Sequence, residues 1–529
     1  MNAQIIVLSN RQPYSHVFGP DGQITVTHSN SGVVHAVEPL LAACGGVWVA
    51  HGSGSADRRV VDESDGVDVP EDAPQYRLRR VWLTDDEYAG YYYGFANDAL
   101  WPLCHRAFVK PVFHAEDLDA YWVANARFVD AVAEEALDER PVVLVQDYHF
   151  ALAPAMLRER MPLSTIVTFW HIPWPEAQRY SICPWGAQLL EGLLGSTIIG
   201  FQTDGDRHNF IDAVHRLLDA EVECDGSAIL YQGRRIGLRV YPASIAWTPE
   251  VDNRVSVAEC RASVRETLGL GADVRIAVGV DRLDYTKGIE EKFLAVEQLL
   301  STYPEYRTRF TLIQLAEPTR PGLPAYVELR RRVRAAAERI NCTYGTGDYC
   351  PIILLEGHHP APEVSRYLRA ADVCVVSSLH DGMNLVAKEF VRARTDQRGV
   401  LILSTFAGAA RSLDEALLIN PFDPQGTADV LARALAMPEA EQRARMVGLR
   451  RTVSGADAHR WAADILADAQ QAAVPHRSHD DAFAHRVQDD FGSVVKIQLL
   501  HQVGAMGLDR GQAQIEDRSH LLVRSPFSE

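Results

Sequence analysis

The chain has 529 residues and a formal net charge of −18, with 47% hydrophobic and 23% charged residues. That length holds two or three cored domains of ordinary globular composition, and the acidic balance argues against a nucleic-acid or anionic-membrane partner. Eight cysteines without a CxxC pair are read as free thiols; with an opening apolar run too short for a signal peptide and none of membrane-spanning length, a cytoplasmic location is expected.

In chain order, strands and helices alternate. Ile5-Ile6-Val7-Leu8 reads as a buried strand ending at Ser9-Asn10-Arg11, and a polar loop from His28 to Gly32 opens an apolar helix over Val33–Ala42. Residues 52–76, rich in Gly, Asp and Ser, read as a loop or irregular excursion. An aromatic-dense patch follows at Tyr91-Tyr92-Tyr93-Gly94-Phe95 and Leu100-Trp101-Pro102. Helical spacing returns over Tyr121–Leu137. Strands follow at Val142–Val145, ending at Asp147-Tyr148-His149, at Thr165–Phe169, ending at His171, and at Ile198–Phe201.

A second alternating series starts near residue 245. Arg275–Val278 is its first strand, and the next helix puts Ile289, Phe293, Val296, Leu299 and Leu300 on one face. Strands at 310–315, 352–355, 372–377 and 400–403 alternate with helices as βαβ units do. Residues 427–475 are largely helical. From about 478 the sequence turns irregular and Asp/His-rich and reads as a loosely attached tail, in which Val494–Val503 is compatible with one helix. The expected fold class is α/β, two doubly wound parallel-sheet domains facing across a cleft, with ligands beyond the carboxyl ends of the strands.

One stretch organises the rest, Ser377 to Phe390. A β-branched run, Val373-Cys374-Val375-Val376, leads through Asp381-Gly382 into a helix beginning at Asn384-Leu385-Val386. Such a strand, turn and helix N-terminus aims unpaired N–H groups and the positive end of the helix dipole at one spot, a cradle for phosphate. Glu389, one turn further, is placed to accept from hydroxyls such as those of a ribose. The competing reading is an ordinary loop opening a surface helix.

Four cations fall at strand ends. Arg282 and Lys287 lie five apart across a strand-to-helix loop and together suit a diphosphate, Arg as a planar fork and Lys as a mobile point charge. The alternative is a surface ion pair with Asp281 or Asp284. Arg320 follows the strand at Thr311–Leu315, and Arg11 comes from the other series. Asp147 and His171 suit sugar hydroxyls, or structural hydrogen bonds. GxxxxGK[ST], GxGxxG, GxSxG and HExxH are all absent, and His358-His359 reads as a loop without metal-ligand partners.

The segments SNRQP (9–13), FANDALWPLCH (95–105), QDYHFALAP (146–154), HIPWP (171–175), LEGLLGSTIIGFQT (190–203), VDRLDYTKGI (280–289), DGMNLVAKEF (381–390) and GVLILSTFAGAA (399–410) resemble the trehalose-6-phosphate synthase family, retaining glycosyltransferases of GT-B architecture. The resemblance covers roughly residues 4 to 475. It implies two Rossmann-like domains, an acceptor-side domain over 1–244 and a nucleotide-sugar domain over 245–455, with a helix near 456–476 packing back on the first and a tail over 477–529. It implies glucose transfer from a nucleotide sugar, UDP-glucose by expectation, to glucose 6-phosphate with retention. The same chemistry on glycerol 3-phosphate, or a non-catalytic sugar-phosphate sensor, are the alternatives.

By the same resemblance, Arg282 and Lys287 hold the donor diphosphate, and Asp381 and His171 meet the donor glucose, these four forming the catalytic set. Gly32, Gly382, Met383, Asn384, Leu385, Val386 and Glu389 complete the donor site. Arg11, Tyr92, Trp101, Asp147 and Arg320 hold the acceptor. No metal and no cofactor are expected, and the partners are small-molecule substrates, with neither nucleic acid nor membrane; a homo-oligomer is compatible with the sequence. Four positions depart from the family pattern, Ser31 for glycine, His51 for tryptophan, Ser244 for glycine and Trp174 for phenylalanine, and they cluster toward the acceptor and the hinge.

Overall fold

A computed structural model describes residues 3–29, 32–247, 255–347 and 349–473. The expected tail over 477–529, the helix at Val494–Val503 and the Ser31 departure lie outside the described residues. The strands in chain order are β1 (Ile5–Leu8), the hairpin β2 (Tyr14–Phe18) and β3 (Ile24–His28), β4 (Val47–His51), β5 (Gly66–Val69), β6 (Tyr76–Val81), β7 (Val142–Gln146), β8 (Thr165–Trp170), β9 (Ile198–Phe201), β10 (Glu221–Val222), β11 (Ala228–Tyr231) and β12 (Arg234–Val240). The second series comprises β13 (Arg275–Arg282), β14 (Phe310–Glu317), β15 (Ile352–Glu356), β16 (Val373–Val376), β17 (Val400–Ser404) and β18 (Leu417–Ile419).

The first sheet runs β10-β11-β12-β9-β8-β7-β1-β4-β6-β5. From β12 to β6 the pairing is parallel, and antiparallel strands finish both edges. β1, β7, β8 and β9 are buried along their whole length, as parallel strands covered on both faces must be. Strand order reverses between β1 and β7, so the crevice beyond their carboxyl ends is flanked by Arg11 and Asp147.

One expectation is corrected. Residues 52–76 are not an irregular excursion throughout: Asp57–Val60 is a helical turn and β5 pairs antiparallel with β6 at the sheet edge. An edge strand needs no apolar outer side, so Gly66 and Asp68 hid it.

The second sheet is wholly parallel in the order β15-β14-β13-β16-β17-β18. Numbered within that half it reads 3-2-1-4-5-6, with the switch point between β13 and β16. The loops carrying Arg282–Lys287 and Ser377–Asn384 leave from those two strands.

The last helix, Ala458–Ala473, returns to the first sheet. Its buried residues Ala458, Trp461, Ala462, Ile465, Leu466 and Ala469 follow helical spacing and form one stripe. That stripe packs on the first helix, Gly32–Cys44, and on β8; each large apolar side chain buried there contributes about 1.5–3 kcal/mol. The outgoing and returning segments are tied together, Ala458 N donating to Ile245 O (3.0 Å) and Trp461 Nε1 to Tyr241 O (3.1 Å).

Candidate active site

At the second sheet's switch point, β16 ends at Val376 and the chain turns from Ser377 through Asp381 and Gly382 to Asn384, which caps the helix Leu385–Ala393. Asn384 holds φ 77° while its side chain accepts from Ala387 N (3.2 Å). The backbone N–H groups from Gly382 to Val386 donate to no acceptor among the described residues. Gly382 is needed for close approach, since a Cβ there would collide with the carbonyl of His171 in the opposite half. Gly288 is needed for a left-handed turn, with φ 61° and the Ser377 carbonyl against it. Met383 is buried in the second core, and Leu385 and Val386 are packed at its edge.

The neighbouring acids are not partners of the Arg282–Lys287 pair in the way the ion-pair alternative requires. Asp281 is buried with Lys292 (2.7 Å), and Asp284 with Arg320 (2.9 Å). Lys287 Nζ instead meets Asp381 Oδ2 at 2.5 Å. Ser378 Oγ and Asn384 Nδ2 also donate to that oxygen, each at 3.2 Å. Burial alone would raise the Asp381 carboxyl, but Lys287 outweighs it and holds the group below its ordinary value. Arg282 forms no ion pair among the described residues and lies 5.6 Å from the Trp101 ring. Glu389 likewise has neither ion pair nor hydrogen bond among them, and burial raises its pKa.

The first sheet supplies the facing wall. Asp147, at the end of β7 with φ 73°, accepts from His171 N (3.1 Å). Burial pushes its carboxyl up to about 7 despite backbone N–H groups and the nearby Arg282 and Arg320. His171 donates through Nε2 to Gln146 Oε1 (2.9 Å), and burial lowers its pKa to about 3, leaving a neutral ring. Arg320, nearly buried, donates to Asp284 (2.9 Å), to the Tyr326 hydroxyl and to the Tyr148 hydroxyl (3.3 Å), and stacks 4.2 Å from the Trp101 ring. Trp101 therefore has guanidinium groups from the opposite half against it. Asp284, which burial would raise, is held down to about 2 chiefly by Arg320 and Arg282.

Tyr92 lies on a twelve-residue π-helical stretch, Ala89–Leu100. Burial would raise its hydroxyl pKa, but Arg320, Arg11 and Arg282 together lower it. Arg11 itself is exposed and has no ion pair among the described residues. Asp147, Arg320 (φ 47°) and Asn384 are three of eight described non-glycine residues with positive φ. Such strain gathering in one crevice points to a functional site.

Other positions fall in place around this crevice. His51 stacks on Tyr88 (4.6 Å), which stacks on Tyr92 (4.9 Å), which stacks on His149 (5.8 Å). Trp174 is a core residue, packed against Trp170, Tyr180 and Phe210. Ser244 is buried at the crossing between the halves. Gly32 begins the first helix. Two residues escaped the sequence reading. Tyr148, next to Asp147, bridges Asn97 (2.8 Å) and Arg320; its position at a strand end was the available signal. Asp284 reads in the sequence only as a partner for its neighbours, because its cation Arg320 lies 36 residues on. Among the described residues, no group of three or more His, Cys, Asp or Glu side chains is arranged to hold a metal ion.

The glycosyltransferase family 20 model matches residues 3–471. A trehalose-6-phosphate synthase of Mycobacterium avium is 38% identical over 473 residues, 88% of this chain and 95% of that protein. Among solved structures, the E. coli protein bound with UDP-2-fluoro glucose is similar with a TM-score of 0.77 at 30% identity, over 89% of this chain and 99% of that one. A UDP-forming α,α-trehalose-phosphate synthase from Burkholderia xenovorans, in complex with glucose-6-phosphate, has a TM-score of 0.77 at 31% identity, over 88% and 100%.

Proposed function

Because the chain belongs to glycosyltransferase family 20, we propose that it moves glucose from UDP-glucose to glucose 6-phosphate with retention, forming α,α-trehalose 6-phosphate. The observation that carries this reading is that Arg282 and Arg320 both lie against the Trp101 ring, at 5.6 and 4.2 Å, and with Arg11 lower the Tyr92 hydroxyl pKa against its burial. In this reading Arg282 with Lys287 takes a diphosphate leaving group, and Arg11 with Arg320 a sugar phosphate. In this reading residues 1–244 form the acceptor-side domain and 245–455 the nucleotide-sugar domain.

Each group then has a task. The N–H groups of Gly382 to Val386 and the helix behind them face the donor phosphates and sugar, and Glu389 accepts from the ribose hydroxyls. Asp381 and neutral His171 orient the donor glucose, and Asp147 and Trp101 the acceptor. As the glycosidic bond breaks, negative charge gathers on the diphosphate, and fixed cations lower the barrier. Lys287 exchanges Asp381 for the diphosphate when the donor enters. The acceptor hydroxyl approaches the face that the diphosphate leaves, passing its proton to a phosphate oxygen, so configuration is retained. The crevice excludes water and holds both reactants close together. Arg282 and Lys287 supply the countercharge that a divalent ion would otherwise bring.

The test is purified protein offered UDP-, ADP- and GDP-glucose against glucose 6-phosphate, glucose and glycerol 3-phosphate, with and without a chelator. Products are read by mass and anomeric NMR. The expected result is an α,α-linked disaccharide phosphate from UDP-glucose and glucose 6-phosphate, undiminished by chelation. Transfer to glycerol 3-phosphate but not to glucose 6-phosphate overturns the acceptor assignment; a strict need for added magnesium or manganese overturns the metal-free mechanism.

A further inference from the structure

Arg11 follows β1, yet ladder pairing ends at Leu8 and a single bond, Ser9 N to Val49 O (3.1 Å), continues it. The segment that carries Arg11 is instead gripped through side chains. Ser9 Oγ donates to the Arg11 carbonyl (2.6 Å) and accepts from Trp48 Nε1 (2.9 Å). Gln12, buried, donates through Nε2 to Asp57 Oδ2 (2.6 Å) and accepts at Oε1 from Arg80 Nε (3.0 Å).

Asp57 and Arg80 are fully buried and paired at 3.1 Å. Arg80 also meets His16 Nδ1 at 2.7 Å, and His16 Nε2 meets Glu71 Oε1 at 2.7 Å. Arginine only donates, so Nδ1 of His16 is the bare nitrogen and Nε2 carries the hydrogen that Glu71 accepts. Asp57 takes two backbone N–H groups as well, from His16 (2.7 Å) and Gly54 (2.6 Å). With donors and acceptors matched in this way, Gln12 is left one amide orientation.

A buried ion pair of this kind is weak as a stabilising device, because desolvation offsets its attraction; what a satisfied network does fix is geometry. Here the geometry fixed is that of the residue beside Arg11. We propose that Asp57, Arg80 and Gln12 are positioning residues that aim Arg11 at the acceptor phosphate. The proposal rests on the acceptor-side reading above, and it adds residues that touch neither substrate.

Two variants separate aim from fold. Gln12→Met keeps the side chain's length while leaving the Asp57–Arg80 pair in place. Arg80→Lys keeps the charge and loses the bond to Gln12. Each is expected to raise the KM for glucose 6-phosphate about tenfold, the effect of mis-setting one charge-assisted hydrogen bond. The KM for UDP-glucose and kcat stay within about twofold. In an Arg11→Ala background neither variant adds a further effect, because the network acts only through that side chain. An unchanged acceptor KM in Gln12→Met with an intact thermal melt overturns the proposal, as does a loss that adds to that of Arg11→Ala. If Arg11→Ala alone leaves the acceptor KM unchanged, the acceptor-side reading falls and the network with it.

Discussion

Replacing Lys287 with alanine separates leaving-group stabilisation from a structural ion pair. The ammonium lies on Asp381 at 2.5 Å, with the two side chains only 13% and 14% exposed. Removing it does not leave Asp381 bare, because Ser378 and Asn384 still donate to the same oxygen at 3.2 Å. The stability loss is therefore that of one imperfectly compensated buried acceptor, about 1–3 kcal/mol, a fall of a few degrees in melting temperature for a chain of this size. The catalytic loss is larger. One preorganised group facing the charge that develops on a departing diphosphate is worth about 3–4 kcal/mol, or about 100- to 1000-fold in kcat. The assay is UDP release at saturating UDP-glucose and glucose 6-phosphate, beside a thermal melt of the same preparation. A kcat within threefold of the parent, with the melt lowered, refutes the reasoning and leaves Lys287 as an anchor for Asp381.

Glu389 has neither ion pair nor hydrogen bond among the described residues, and burial raises its pKa, so Glu389→Ala should not lower the melt at neutral pH while it raises the KM for UDP-glucose about 10- to 100-fold, the range of one or two charge-assisted bonds; steady-state kinetics at fixed acceptor decide. Asp147, pushed by burial from 3.8 up to about 7, binds its proton more tightly folded than unfolded. Its ionisation therefore lowers stability as pH rises from about 4 to 7, and Asp147→Asn should stabilise the ligand-free protein increasingly over that window and not below it; a pH-independent difference in melting temperature refutes this. Arg320→Ala leaves Asp284 buried without its cation, which costs about 3–5 kcal/mol, so its melt should fall steeply. Exposed Arg11→Ala should shift stability by no more than about 0.5 kcal/mol while raising the acceptor KM, and equal melts for the two variants contradict the buried pair.

Much of this was legible because parallel strands buried on both faces are written as unbroken apolar runs. Val373–Val376 and Ile198–Phe201 announce themselves, and the polar residue ending each run marks the crevice. Arg11, Arg282, Asp147 and His171 were found that way. What stayed hidden was either polar at an edge or paired far along the chain. β5 carries glycine and aspartate on an outer strand. Asp284 is committed to Arg320, 36 residues on, rather than to its neighbours Arg282 and Lys287. The stack from His51 through Tyr88 and Tyr92 to His149 joins three separate segments, and no local spacing encodes it.

The two crossings between the sheets, residues 241–247 outward and 456–458 on the way back, lie side by side and share the bond from Ala458 to Ile245. Trp461, just past the return crossing, leans on Phe169 at 5.2 Å, and Lys388, one residue before Glu389, is anchored to the Ala243 carbonyl at 2.6 Å. The first sheet is thus fastened to these crossings through Trp461 and the strand that leads into His171, the second through the helix that bears Glu389. A substitution at Ala243, Ile245 or Ala458 would therefore act on how His171 and Glu389 are placed while leaving both side chains as they are.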